Sequence, residues 1–161
     1  MFAFNKIKFI SKRYPIPGSS QVLEFSPPVL RIFNKYNQSN GHLEAGGLLF
    51  AKINLPNVIV KEATVPHELD NRSRYGFSPC KLIQHEIIQN RFSLGLHFIG
   101  EWHTHPEEFP TPSSLDIFSM SDSFVKSKHE LNYFVLVIVG SVKDDISLWV
   151  SLHNDSKFIK L

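Results

Sequence analysis

Apolar and polar positions change period several times along the chain, and the changes mark the elements. Residues 4–10 and 21–25 read as strands around a turn at Pro17-Gly18. Ser26-Pro27 has the form of a helix N-cap followed by proline in the first turn. A helix through Val29–Tyr36 would bury Leu30 and Phe33 and stop in the polar run Asn37–Gly41. His42–Ile53 and Val58–Val65 read as strands, the first carrying Gly46 and Gly47, which mark a bulge or the close approach of another backbone or of an extended substrate. Residues 66–76 are polar and loop-like. Ser78-Pro79 opens a second helix, about Pro79–Phe92, with Leu82, Ile83, Ile87 and Ile88 on an apolar stripe. Leu96–His105 is a strand ended by Pro106, and Glu107–Pro112 is a proline-rich loop. Ser113 starts a third helix that runs to about Lys126. Tyr133–Val139 is a continuous apolar run, which suits a strand buried on both faces. Lys143-Asp144-Asp145 reads as a hairpin turn, and Ile146–His153 alternates apolar with polar. The succession predicts a mixed α/β domain with the last strands at its centre.

Composition narrows the function classes. The 161 residues make one domain by length, and 42% hydrophobic with 20% charged residues is the balance of a folded globular protein. A net charge of +2 is no footprint for nucleic acid or for an anionic membrane. Lys6 and Lys8 interrupt the apolar start of the chain, so Met1–Ile10 does not read as a signal peptide. No run approaches the ~18 apolar residues of a membrane span. The expectation is a cytoplasmic protein. Cys80 is the single cysteine, which excludes an internal disulfide and a cysteine-based zinc site. With eight histidines, any metal must be held by imidazole and carboxylate.

The informative run is Gly100-Glu101-Trp102-His103-Thr104-His105-Pro106. Residues i and i+2 of a strand face the same way, so His103 and His105 present two imidazoles side by side at a strand end. Ser113 is a good N-cap for the following helix, and Asp116 in its first turn can reach back toward the end of the preceding strand. Two neutral imidazoles and one carboxylate suit a catalytic zinc with a fourth position left for water. Such a site needs a group to receive the water's proton and return it to the leaving amine. Glu44 is the candidate, because packing explains poorly a glutamate at the head of an apolar strand, followed by two glycines. Trp102 should face the core. Glu101 could lie behind a ligand and fix a histidine tautomer. Arg72 or Arg74 could grip a carboxylate at the rim of a groove. His42, His67, His85, His97, His129 and His153 read as ordinary histidines, and Cys80 as structural.

Glu44, then His103-x-His105-Pro106, then Ser113-x-x-Asp116, resembles the full JAMM signature of the MPN-domain (JAB-type) metalloproteases. Every metal and catalytic position of that signature is matched, and the spacing agrees without gaps. The resemblance implies an α/β fold over 1–161, a single MPN (JAB-like, cytidine-deaminase-like) domain with a mixed β-sheet flanked by helices. It implies one Zn2+ held by His103, His105 and Asp116, with Glu44 as general base and acid. Ser113 would help to stabilise the oxyanion. The implied substrate is a peptide or isopeptide bond at the C-terminus of a ubiquitin-like protein or ubiquitin-like conjugate. The run Gly100–Pro106 is most similar to stand-alone bacterial members associated with integrative elements or antiphage defence operons. Those are linked to deconjugation of a nucleotidyltransferase. Two other classes stand against the zinc peptidase. A non-catalytic MPN scaffold would lack metal ligands, and none is missing here. A cupin-like metal protein needs an all-β barrel, which the helix after Ser113 argues against.

Overall fold

The computed structural model describes residues 8–161, so the strand expected over 4–10 lies mostly outside the described residues. Among the described residues, eight strands form one mixed sheet. In spatial order they are β1 (Lys12–Pro15), β2 (Val22–Phe25), β4 (Asn57–Ala63), β3 (Gly46–Asn54), β7 (His97–Thr104), β8 (Phe134–Val139), β9 (Leu148–His153) and β10 (Phe158–Lys160). The pairs β2/β4 and β7/β8 are parallel, and the other neighbours are antiparallel. The sheet therefore centres on β3 and β7, not on the last strands. One crossover sets β8 beside β7, and β9 and β10 then extend outward by antiparallel turns.

The helices are α1 (Pro27–Tyr36), α2 (Lys81–Ser93) and α3 (Ser114–Lys126). Ser26 is the N-cap residue of α1, but its hydroxyl makes no capping hydrogen bond, and the proline start sets the helix instead. Val29, Leu30 and Phe33 are buried, and the Phe33 ring lies 5.2 Å from that of Trp102. Helix α2 differs from expectation. It has no fully buried residue, and Leu82 is 78% exposed. Its half-covered stripe is Ile83, Gln84, Ile87, Ile88 and Arg91, one helical face to which Leu82 does not belong. Residues 66–76 are not a plain loop either. Asn71–Ser73 (β5) and Gly76–Ser78 (β6) form a small hairpin whose three-residue strands are too short and polar to show alternation.

Strand β8 is buried throughout, as its apolar run predicts. Val135, Val137 and Val139 enter the main core with Leu23, Phe33, Leu49 and Trp102, while Phe134, Leu136 and Ile138 pack with Met120 of α3. Strand β7 splits its side chains in the same way, with one irregularity. Leu49 pairs with Gly100 but Phe50 pairs with Phe98, so Ile99 is an extra residue. Such a bulge reverses the phase of alternation beyond it. Phe98 packs with the α3 cluster, whereas Ile99 and Trp102 join the main core. His103, one residue past Trp102, thus returns to the α3 side. At Gly100 no side chain fits, because a Cβ would run into the Val135 carbonyl of β8.

Buried His153 accepts or donates at 2.7 Å to Ser151 Oγ and stacks on Phe158. Burial lowers its pKa to about 4. The unfolded histidine takes its proton near ~6.5, so between these values the unfolded state binds more protons. Its contribution to stability is complete above pH ~6.5 and is lost as pH falls toward 4, on the order of 3 kcal/mol. Urea unfolding at neutral pH and at acid pH should show this loss in the wild type and a smaller one in His153→Gln.

Candidate active site and metal centre

The carboxyl end of β7, the N-terminus of α3 and the segment before β3 meet at one place. His103 Nε2 and His105 Nε2 lie 3.1 Å apart. Asp116 presents one carboxylate oxygen to each, Oδ1 to His103 at 3.3 Å and Oδ2 to His105 at 3.4 Å. Ligand-type atoms of Glu44, His103 and His105 all lie within 4.8 Å of one another. The helix itself delivers Asp116. Ser113 caps α3 through a capping box, in which Asp116 N donates to Ser113 Oγ at 3.1 Å and Ser113 N donates to Asp116 Oδ2 at 2.8 Å. The Ser113 oxygen is used by the cap, while among the described residues its O–H proton meets no acceptor and can donate.

Glu44 sits two residues before β3 begins, outside the strand, and it is 7% exposed. Its position comes from its backbone. Glu44 N donates to Ser73 O at 2.8 Å, and Arg72 Nε donates to Glu44 O at 2.8 Å. Arg72 thereby supports Glu44 through its Nε, a role the sequence did not suggest. Arg74 lies over the Tyr75 ring at 5.7 Å. The two glycines after Glu44 admit the chain's own atoms. A Cβ on Gly46 would come within 2.7 Å of the Phe77 ring, and one on Gly47 would strike the Thr64 carbonyl.

Charge in the site is held in tension. Burial raises the Glu44 pKa, and the nearby His103 and His105 lower it in part. Burial pushes His105 down, but Asp116, Glu44 and Glu107 around it outweigh that and raise it. Burial also acts against ionised Asp116, yet the hydrogen bonds with His103 and His105 hold it well below the usual carboxylate range. Two imidazole nitrogens and two carboxylate oxygens crowded together form a donor set made for a cation. The two imidazole nitrogens lie 3.1 Å apart, and each faces its own oxygen of the one carboxylate, at 3.3 and 3.4 Å, so nitrogen and oxygen donors of the kind zinc takes converge on one place.

The flanking residues divide cleanly. Trp102 is 1% exposed and donates from Nε1 to Thr64 O at 2.9 Å, on the core side as expected. Burial raises the Glu101 pKa, with His103 and Lys81 opposing, but among the described residues no hydrogen bond joins it to an imidazole. The other histidines have local partners, as with His129, whose Nε2 meets Phe124 O at 2.8 Å, and His42, whose Nδ1 meets Asn37 O at 3.2 Å. No helix of the described residues is long and apolar enough to cross a membrane.

Fold and site together define a mixed α/β protein that gathers imidazoles and carboxylates at one sheet end. Residues 26–151, which include Glu44, His103, His105, Ser113 and Asp116, match the family described as prokaryotic homologs of the JAB domain, and the chain belongs to that family. A protein of Pseudomonas aeruginosa (strain BWHPSA011 / Pa011) named CD-NTase/cGAS isopeptidase is 37% identical over 99 residues, which span 59% of this chain and 63% of that protein. One of the same name from Escherichia coli (strain TW11681) is 30% identical over 145 residues, 88% of each chain. The solution structure of protein DSY2949 from Desulfitobacterium hafniense superposes with a TM-score of 0.63 at 16% identity, covering 85% of this chain and 88% of that one, a likeness of fold.

Proposed function

We propose that the chain, acting as one catalytic domain over 1–161, is a zinc-dependent isopeptidase working in the cytoplasm. It hydrolyses the bond at the C-terminus of a ubiquitin-like protein or ubiquitin-like conjugate. The relatives' name, CD-NTase/cGAS isopeptidase, favours a conjugated CD-NTase as the substrate, and the setting proposed for this reaction is antiphage defence. The observation that carries the reading is the convergence of His103 Nε2, His105 Nε2 and the Asp116 carboxylate, with Glu44 beside them.

His103, His105 and Asp116 would hold the ion. When bound, zinc supplies Lewis acidity, which acidifies water and polarises a carbonyl. Glu44 takes the proton from the attacking water as the new C–O bond forms. The Ser113 O–H donates toward the carbonyl oxygen as negative charge grows there. Glu44 then delivers the same proton to the departing lysine amine as the C–N bond breaks. Water is consumed, and carboxylate and amine are the products.

The test is metal analysis together with cleavage of a CD-NTase joined through its C-terminal carboxyl to a lysine side chain. About one zinc per chain, lost in His103→Ala, and cleavage abolished by a chelator are expected. A metal-free wild type that still cleaves would overturn the proposal. Fusions to a ubiquitin-like protein, run in parallel, distinguish the two substrate forms.

A further inference from the structure

Thr104 stands between the two imidazoles in sequence, but its side chain points to the opposite face and is fully buried. Its hydroxyl is used in both directions. Oγ1 accepts from Ala45 N at 2.9 Å and donates to Gln38 Oε1 at 3.0 Å. Thr104 N also donates to Ala45 O at 2.8 Å, so Ala45 is gripped at both its backbone groups by one residue. Gln38, 5% exposed, spends its amide protons on two further carbonyls, His42 O at 3.1 Å and Arg74 O at 2.8 Å. The Gln38 amide thus ties β7, the segment that enters Glu44 and the β5–β6 hairpin into one buried network. That hairpin in turn holds Glu44 by its own N and O. Among the described residues nothing hydrogen-bonds the Glu44 carboxylate, so backbone placement alone aims it.

We propose that Thr104 and Gln38 are positioning residues for Glu44. They act from behind the strand to hold its carboxylate within reach of His103 and His105. The inference rests on the reading of Glu44 as the proton-transferring group. The physical reason is that proton transfer tolerates little misplacement, and a displacement of ~1 Å costs about 10²-fold in rate. A buried network with every partner satisfied is the usual means of holding such a group, and losing one member leaves the others unpaired.

Thr104→Val keeps the shape and removes the hydroxyl, and Thr104→Ser restores it. With the CD-NTase–lysine substrate, Thr104→Val and Gln38→Met should each lower kcat by about 30–100-fold while KM and zinc affinity stay within about threefold. Thr104→Ser should recover kcat to within about threefold of wild type. In the Glu44→Gln background, Thr104→Val should cause no further loss, because residues that act as a unit are not additive. In metal-free protein, hydrogen exchange at the Ala45 amide should be at least about tenfold faster in Thr104→Val than in Thr104→Ser. Gln38→Met carries the kinetic test if Thr104→Val does not fold. Wild-type kcat in both variants, with Glu44→Gln inactive, would overturn this inference and leave the role of Glu44 standing. Wild-type turnover in Glu44→Gln would instead remove the role of Glu44, and this inference with it.

Discussion

Glu44→Gln is expected to reduce kcat by about 10²–10⁴-fold with zinc content and fold unchanged. Glutamine has the shape of glutamate but cannot accept the water's proton. The substitution spares everything that places residue 44, because its backbone is held by Ser73 and Arg72 and its carboxylate receives no hydrogen bond among the described residues. The wild-type rate should fall on the acid side as Glu44 protonates, with its apparent pKa carrying the upward push of burial against the opposing histidines. Single-turnover cleavage across pH, with metal analysis of the same samples, checks both points. Undiminished turnover in the variant would contradict proton transfer by Glu44.

Asp116 carries two loads, and two substitutions separate them. Asp116→Ala removes the carboxylate from both imidazoles and also the acceptor for Ser113 N in the capping box. It should lower zinc affinity by well over about tenfold and cost α3 about 0.5–2 kcal/mol in lost capping. Asp116→Asn keeps an oxygen for Ser113 N but loses the negative charge. The helix should then survive while zinc remains weakly held. Chelator competition measures the first quantity and thermal unfolding of metal-free protein the second. Equal zinc affinity in wild type and Asp116→Asn would mean that the carboxylate charge does not hold the ion.

The His-x-His pair, the Ser113 cap and Asp116 are legible because each depends on local spacing: strand alternation places the imidazoles and a first-turn position places the carboxylate. The all-apolar β8 is legible for the same reason. Three things are not. The extra residue Ile99 decides which face the imidazoles take, and it emerges only from the pairing of β7 with β3. Gln38 lies in an unremarkable polar stretch, and its work is done through contacts 36 and 66 residues away in sequence. Arg72 reads as a rim cation, and the bond from its Nε to the backbone carbonyl of residue 44 joins positions 28 residues apart, which no local spacing announces. The expected stripe on α2 fails at Leu82, because the helical period turns that residue almost opposite the face shared by Ile83, Ile87 and Ile88, and an apolar residue there stays exposed.

The outer strands of the sheet have a consequence for how this protein behaves in company. The strand β1 at one end begins Lys12-Arg13 and ends at Pro15, and β10 at the other is three residues long and ends at Lys160. Proline withholds a donor, brief strands offer few pairing groups, and bringing two lysine-bearing borders together sets like charges face to face. The hydrophobic β8, an aggregation hazard if it were exposed, is screened by β9 and β10 on one side and by β7 on the other. Among the described residues, both borders of the sheet thus carry features that disfavour pairing with a second copy edge to edge.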